Sequence, residues 1–99
     1  MPALSRLGDK STGHGCFPPT ACTSGCASKT FANGIAAQVL GSQFQPHSCG
    51  RTTHNTSVRK TNAGSSTVFI EGKAAIRIGD SIICGDTVGQ GSPTVQVGG

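Results

Sequence analysis

Tryptophan and tyrosine are absent from this 99-residue chain, and only four phenylalanines stand in for them. With 34% hydrophobic residues against 15 glycines and 5 prolines, the bulky apolar material is too scarce for a self-sufficient helical bundle or β-sandwich. A chain this short buries only about two-thirds of its unfolded surface, so a metal staple or an oligomeric neighbour is expected to supplement its core. Charge is scarce too, at 12% of residues with a net of +4. The densest basic stretch is Arg51 with Arg59-Lys60, read as a solvated loop; no aromatic residues interleave it, and nucleic-acid binding is not expected. No apolar run approaches the roughly 20 residues of a membrane span, and no signal peptide precedes Ser5-Arg6, so the chain is expected to be made in the cytoplasm. Helix has no support, because no segment keeps a 3.6-residue period between start and stop signals. Five cysteines cannot form a complete internal disulfide framework, and a reducing compartment points to metal ligation or free thiols.

What is present is a repeat. Residues 28–42, SKTFANGIAAQVLGS, overlay residues 66–80, STVFIEGKAAIRIGD, with six identities in fifteen and no gap. Residues 91–99 resemble the first half of another unit and residues 5–9 the last part of one. Residues 1–99 therefore read as one domain cut as half unit, unit, unit, half unit. Each full unit reads as a β-hairpin: an alternating run, a two-residue turn (Asn33-Gly34, Glu71-Gly72), and a second run ending in Gly-Asp or Gly-Ser. The terminal halves are expected to close a third hairpin with Arg6-Leu7-Gly8 beside Val95-Gln96-Val97. Three similar wedges around an axis follow. Residues 10–27 and 43–64 lack aliphatic patterning and read as loops.

After each Gly-Asp/Ser mark comes a metal-capable side chain: Asp9 leads to His14, Ser42 to His47 and Asp80 to Cys84, at spacings of five, five and four residues. Equivalent positions of symmetry-related units lie at similar radius and height, so these three should converge on one axis. His54, seven residues past His47, can fold back as a fourth. His14, His47, His54 and Cys84 would satisfy a tetrahedral structural zinc site. Cys16, Cys22, Cys26 and Cys49 form a competing set, and Cys16 or Cys49 could replace the histidine two residues before it, although the set lacks zinc-ribbon spacing. Cys22 and Cys26 otherwise read as small buried or partly exposed thiols. Asp9 and Asp80, at equivalent places, suit a turn role. No Ser sits in a nucleophile-elbow pattern, and no enzyme is expected.

These residues resemble the PAAR-repeat family: GSSTVFIEGKAAIRIGDSIICG at 64–85, RLGDKSTGHGCFPPT at 6–20 and GSPTV at 91–95. The positions of the name motif read Ala74-Ala75-Ile76-Arg77 and Ala36-Ala37-Gln38-Val39, with Ser42 where Asp is usual. The resemblance implies an all-β, small cone-shaped fold of β-hairpins with pseudo-threefold symmetry and one structural zinc near the apex. The family's three histidines and one cysteine fall on His14, His47, His54 and Cys84. It further implies a partner, a trimeric β-helical spike capped by one such tip, and transient contact with a target membrane during puncture. The location implied is a phage tail spike tip in the virion, or secretion with a type VI spike; no extension to hold a toxin domain is expected. Physically, a trimeric β-helix ends in exposed strand edges, which a monomer with three similar hairpins can cover. Phe31, Phe69 and Ile70 can line either its base or its interior. The competing readings are a small zinc-stabilised module binding nucleic acid or protein, and a small metallohydrolase.

Overall fold

A computed structural model describes residues 2–98, and these form a β body of 37 × 23 × 23 Å, one long axis with two equal short ones. Eight short strands pair two by two: β1 (Cys22–Ser24) with β4 (Gln43–Phe44), β2 (Phe31–Ala32) with β3 (Ile35–Ala36), β5 (His47–Cys49) with β6 (Thr52–His54), and β7 (Phe69–Ile70) with β8 (Lys73–Ala74). One 3-10 turn spans Thr56–Val58.

The two expected hairpins are present. Asn33 and Gly34 take φ of +56° and +76°, Glu71 and Gly72 +52° and +82°. Positive φ at both turn positions is the turn whose twist matches the strands it joins. Phe31 then faces Ala36, and Phe69 faces Ala74. The third wedge closes with a shifted register. Ala3 pairs with Gln96 and Leu4 N–H donates to Val95 O (3.0 Å), whereas Arg6 pairs with Ala37 of the middle unit. Residues 6–8 thus knit units together instead of completing their own hairpin.

Rings of backbone hydrogen bonds express the threefold. Ser5 N–H donates to Ile76 O (2.9 Å), Ile76 N–H to Gln38 O (3.3 Å) and Gln38 N–H to Ser5 O (2.9 Å), so three equivalent residues bond in a closed cycle. All three are fully buried. Two more cycles run Leu7→Ala36, Leu40→Ala74, Ile78→Ala3 and Thr12→Thr87, Gln45→Ala21, Ile83→Lys60. One chain therefore satisfies its interior amides across an axis as a trimer would. The crowding there demands small neighbours: Ala37 and Ala75 are fully buried.

The repeated mark is a turn with defined chemistry. Gly8, Gly41 and Gly79 have φ of +87°, +92° and +93°, which side-chain-bearing residues rarely adopt. Asp9 Oδ2 accepts from Arg6 N–H (2.8 Å) and Asp80 Oδ2 from Arg77 N–H (2.6 Å). In the middle unit Ser42 Oγ accepts the equivalent Val39 N–H (2.9 Å), so the hydroxyl replaces the carboxylate in the same bond. Arg6 and Arg77 also reach back to Asp9 and Asp80 as ion pairs, a contact Val39 cannot make.

The expected loops carry more order than their composition suggests. From each turn the chain leaves, returns, and re-pairs with the turn residue: Cys22, Thr61 and Val88 donate to Asp9 O, Ser42 O and Asp80 O at 3.0, 3.0 and 2.9 Å. Here β1, β4, β5 and β6 form by backbone pairing that needs no aliphatic alternation. Two apolar clusters stack: Leu4, Ala27, Ala32, Ala37, Val39, Ala75 and Val97 at the hairpins, then Cys22, Phe44, Ile76, Ile82 and Val88 toward the loops. Of the residues left open between base and interior, Ile70 packs on the first cluster, while Phe31 and Phe69 stay 59% and 61% exposed.

Candidate metal centre

The three outgoing loops carry the site. In the first, Gly15 (φ +56°) turns the chain so that His14 and Phe17 exchange both backbone hydrogen bonds, at 3.1 and 2.9 Å. In the second, β5 and β6 pair His47 with His54, Ser48 with Thr53 and Cys49 with Thr52. Residues opposite each other in an antiparallel pair share a face, so a hairpin converts the seven-residue spacing into two adjacent imidazoles. In the third, Gly85 N–H closes a tight turn on Ile82 O (3.0 Å) and presents Cys84.

His14, His47, His54 and Cys84 meet, with one ligand atom from each and all four within 4.8 Å of one another. His14 Nε2 lies 3.3 Å from His47 Nε2, which lies 3.0 Å from His54 Nδ1; Cys84 Sγ is 3.8 Å from Nε2 of both His14 and His47. A tetrahedron with metal–nitrogen and metal–sulfur bonds of zinc length has edges of about 3.3 and 3.6 Å. The separations of 3.0, 3.3 and 3.8 Å lie near those edges, and with every donor within 4.8 Å of the others the set could close on such an ion by small side-chain movements.

The surroundings prepare the ligands. His47 is buried, and its Nδ1 lies 2.9 Å from Pro18 O, which can only accept. The proton therefore sits on Nδ1, which leaves the Nε2 lone pair able to ligate a metal. Burial holds the His47 imidazole below its ordinary pKa, helped by the Arg59 cation and opposed by the Pro18 carbonyl and Asp86. Phe17 packs on all three imidazoles, with ring centroids 4.8, 4.7 and 4.1 Å from His14, His47 and His54.

Beneath the cluster lies a buried ion pair. Arg59 and Asp86 are fully or almost fully buried, with Arg59 Nη1 2.5 Å from Asp86 Oδ2. Arg59 also donates to Cys84 Sγ (3.5 Å), Ser11 Oγ (3.1 Å), Gln45 O (3.2 Å) and Thr20 Oγ1. Thr20, Arg59 and Asp86 occupy equivalent places: their carbonyls accept from Ser11, Phe44 and Ile82 N–H. The symmetry axis thus carries a different side chain from each unit. Burial pushes the Asp86 carboxyl up, but hydrogen bonds from Ser11, Arg59 and the Thr87 amide, together with the Arg59 charge, hold it below the usual carboxylate range. Arg59 is therefore not part of a solvated basic loop, as its neighbours Lys60 and Arg51 suggest; it is the charged centre of the interior. Neither its role nor those of Asp86 and Phe17 carries a local sequence signal.

The cysteines also depart from expectation. Cys16 and Cys49 form a disulfide across 33 residues, with Cα atoms 5.4 Å apart. Each sits beside the turn of a histidine-bearing hairpin, so the bond ties those hairpins together and neither sulfur replaces its neighbouring histidine. The free-thiol reading fails here because two hairpins that deliver His14 and His47 to one point must also bring their turns together. Cys22, Cys26 and Cys84 are free, with Cys22 buried and Cys26 half-buried. Cys16, Cys22, Cys26 and Cys49 do not converge on a shared point, and the only His/Cys/Asp/Glu cluster with metal geometry among the described residues is the three-histidine, one-cysteine group.

The family model described as "PAAR motif" matches residues 7–90. The chain belongs to the PAAR family. Membership supports a spike-tip role in contractile injection systems and gives the His/Cys cluster a metal-binding context. No curated protein matches the chain. In this PAAR chain the name motif has a physical reading. Ala37 and Ala75 fit the crowded axis, and Arg77 closes the Gly-Asp turn onto Asp80 at 3.1 and 2.9 Å. Among the described residues no helix is long and apolar enough to cross a membrane.

Proposed function

We propose that this chain is a zinc-stapled tip that caps a trimeric β-helical spike, one cap per trimer, and assists puncture of the target envelope. The carrying observation is a single chain whose interior amides close in threefold cycles and whose loops end in a four-ligand site. Threefold order at one end matches the end of a trimeric spike. The ligand-bearing end needs no large core, since zinc bound by His14, His47, His54 and Cys84 would supply Lewis-acid bonding there in place of packing. Residues 1–99 act as one unit in this reading.

The tip works structurally. A zinc held by His14, His47, His54 and Cys84 would have four protein ligands and so no position for an activated water, unlike a catalytic zinc. Phe31 and Phe69, both more exposed than buried, lie on the hairpins where a spike end would be covered. Contact with the target membrane is transient, and the chain travels from the cytoplasm on the spike, in a virion tail or by secretion. Burial of Arg59 removes one of the three members of the basic stretch, so a nucleic-acid module has less support than composition alone gave it.

Co-expression with a trimeric β-helical spike tests the reading. Native mass measurement is expected to give one cap per trimer, surviving high salt because strand-edge pairing and apolar contact are weakly screened. Failure to associate with any such spike, or three caps per trimer, would overturn it.

A further inference from the structure

Outside the metal cluster, Cys22 and Cys26 place their sulfurs 3.6 Å apart, in van der Waals contact. Their environments differ. Cys22 is 1% exposed, whereas Cys26 is half-buried and opens on a cleft of about 150 Å³ lined also by Ser28, Val39, Ile70, Glu71 and Lys73. The chain between them is already bent for closure: Gly25 has φ +78°, and a Cβ there would lie 3.1 Å from Gly41 O and Ser42 Cα. From the contact, the asymmetric access and the preformed bend, we propose that Cys22 and Cys26 are a thiol–disulfide exchange site that accepts a low-molecular-weight disulfide at Cys26 and closes a second disulfide in the chain.

Cys26 is the entering sulfur. It is the sulfur that lines the cleft; its contact with Cys22 lowers its pKa despite burial, the Ser42 hydroxyl 3.8 Å away acts in the same direction, and the same contact together with burial raises the pKa of Cys22. The thiolate is the nucleophile in such exchange. Cys26 gives up its proton to solvent and attacks one sulfur of the incoming disulfide, whose S–S bond breaks to release one thiolate that is then protonated. Cys22 Sγ next attacks Cys26 Sγ, the mixed disulfide breaks, and the second small thiolate takes the Cys22 proton. The protein loses two electrons and the small disulfide gains them, leaving one Cys22–Cys26 bond and two small thiols.

The test uses the zinc-loaded protein and bis(2-hydroxyethyl) disulfide. After acid quench, unfolding with chelator, and alkylation, the thiol count is expected to fall from three (Cys22, Cys26 and Cys84) to one. Peptide mapping should place the new bond within residues 11–29 while Cys16–Cys49 persists. Cys22→Ser should stall as a probe adduct on Cys26, and Cys26→Ser should keep both remaining thiols. A count that stays at three, an adduct on Cys84, or exchange into Cys16–Cys49 overturns the proposal; the count on the unsubstituted chain decides even where a variant does not fold.

Discussion

Replacing Arg59 by methionine removes the cation at the centre of the molecule while keeping similar volume. Asp86 then stays buried with Ser11, Thr12 Oγ1 (3.1 Å) and the Thr87 amide (2.7 Å) as its remaining donors, and Ser11, Thr20 and Gln45 lose Arg59 as a partner. Breaking a buried pair from one side typically costs about 3–5 kcal/mol, and the surviving donors on Asp86 favour the lower end, about 3 kcal/mol. At roughly 4 °C or more per kcal/mol for a domain of this size, the melting point should fall by at least ~12 °C. Removing both charges, as in Arg59→Met with Asp86→Leu, should recover most of that loss, because an apolar pair needs no desolvation. The pH dependence has a definite sign. In the parent chain the folded Asp86 pKa is depressed, so its contribution is present above the ordinary carboxylate range and lost as pH falls through the folded value. Without Arg59, burial dominates and raises the folded pKa, so the variant's deficit is largest at neutral pH and narrows as pH falls. Urea melts at saturating zinc between pH 7.5 and 5 read the variant's neutral-pH deficit and its narrowing, while the parent's Asp86 contribution stays intact across that window. A loss under about 1 kcal/mol at neutral pH, or a double variant as unstable as the sum of the singles, would refute the ion pair as the organiser of this interior.

Alanine at His14, His47, His54 or Cys84 should each remove most bound zinc by elemental analysis, whereas Cys22→Ala and Cys26→Ala should retain it; stoichiometric zinc in any of the first four would reject that ligand. Reducing Cys16–Cys49 in metal-free protein reopens a loop of 33 residues, worth roughly 4 kcal/mol in chain entropy. With zinc holding His14 to His47 the disulfide closes only a short ring, and the same reduction should cost about half as much, so metal and disulfide are expected to be sub-additive in calorimetry. Ser42→Ala should cost about 1–3 kcal/mol in denaturant titration, since it orphans the buried Val39 amide.

The hairpins and turns are legible in sequence because their backbone geometry restricts residue type. Positive φ at Gly8, Gly41 and Gly79 requires the glycine that marks the repeat, and Asn33-Gly34 announces its own turn. The convergence of the four donor side chains is legible for the same reason, since symmetry carries His14, His47 and Cys84 to one phase and a hairpin brings His54 back. The Arg59–Asp86 pair and the Cys16–Cys49 bond join partners 27 and 33 residues apart. Arg59 and Asp86 occupy corresponding positions in different units without sharing a residue pattern, so nothing local announces their contact; Cys16 and Cys49 do share one, each two residues past a histidine, but that spacing suits an alternative ligand as well as a bond between the two sulfurs. The four-residue shift of the third wedge, with Ala3 rather than Leu7 opposite Gln96, is hidden because an even shift leaves every side chain on the same face.

The middle unit shows why a degenerate repeat need not be a weak one. In the outer units a carboxylate and an arginine occur together, Asp9 with Arg6 and Asp80 with Arg77, and each carboxylate takes both a backbone amide and a guanidinium. In the middle unit both change together: Ser42 is fully buried, and Val39 in the arginine's place joins the apolar cluster. A neutral hydroxyl suffices where no guanidinium is present. Ser42→Asp should therefore destabilise more than Ser42→Ala, despite restoring the family residue, because it buries a carboxylate with no cation beside it. Adding Val39→Arg to that variant should recover stability only as far as the new side chain can leave the core and reach solvent as Arg6 and Arg77 do. If Ser42→Asp alone proves neutral in denaturant titration, the two positions are independent and the turn does not depend on matching its charge.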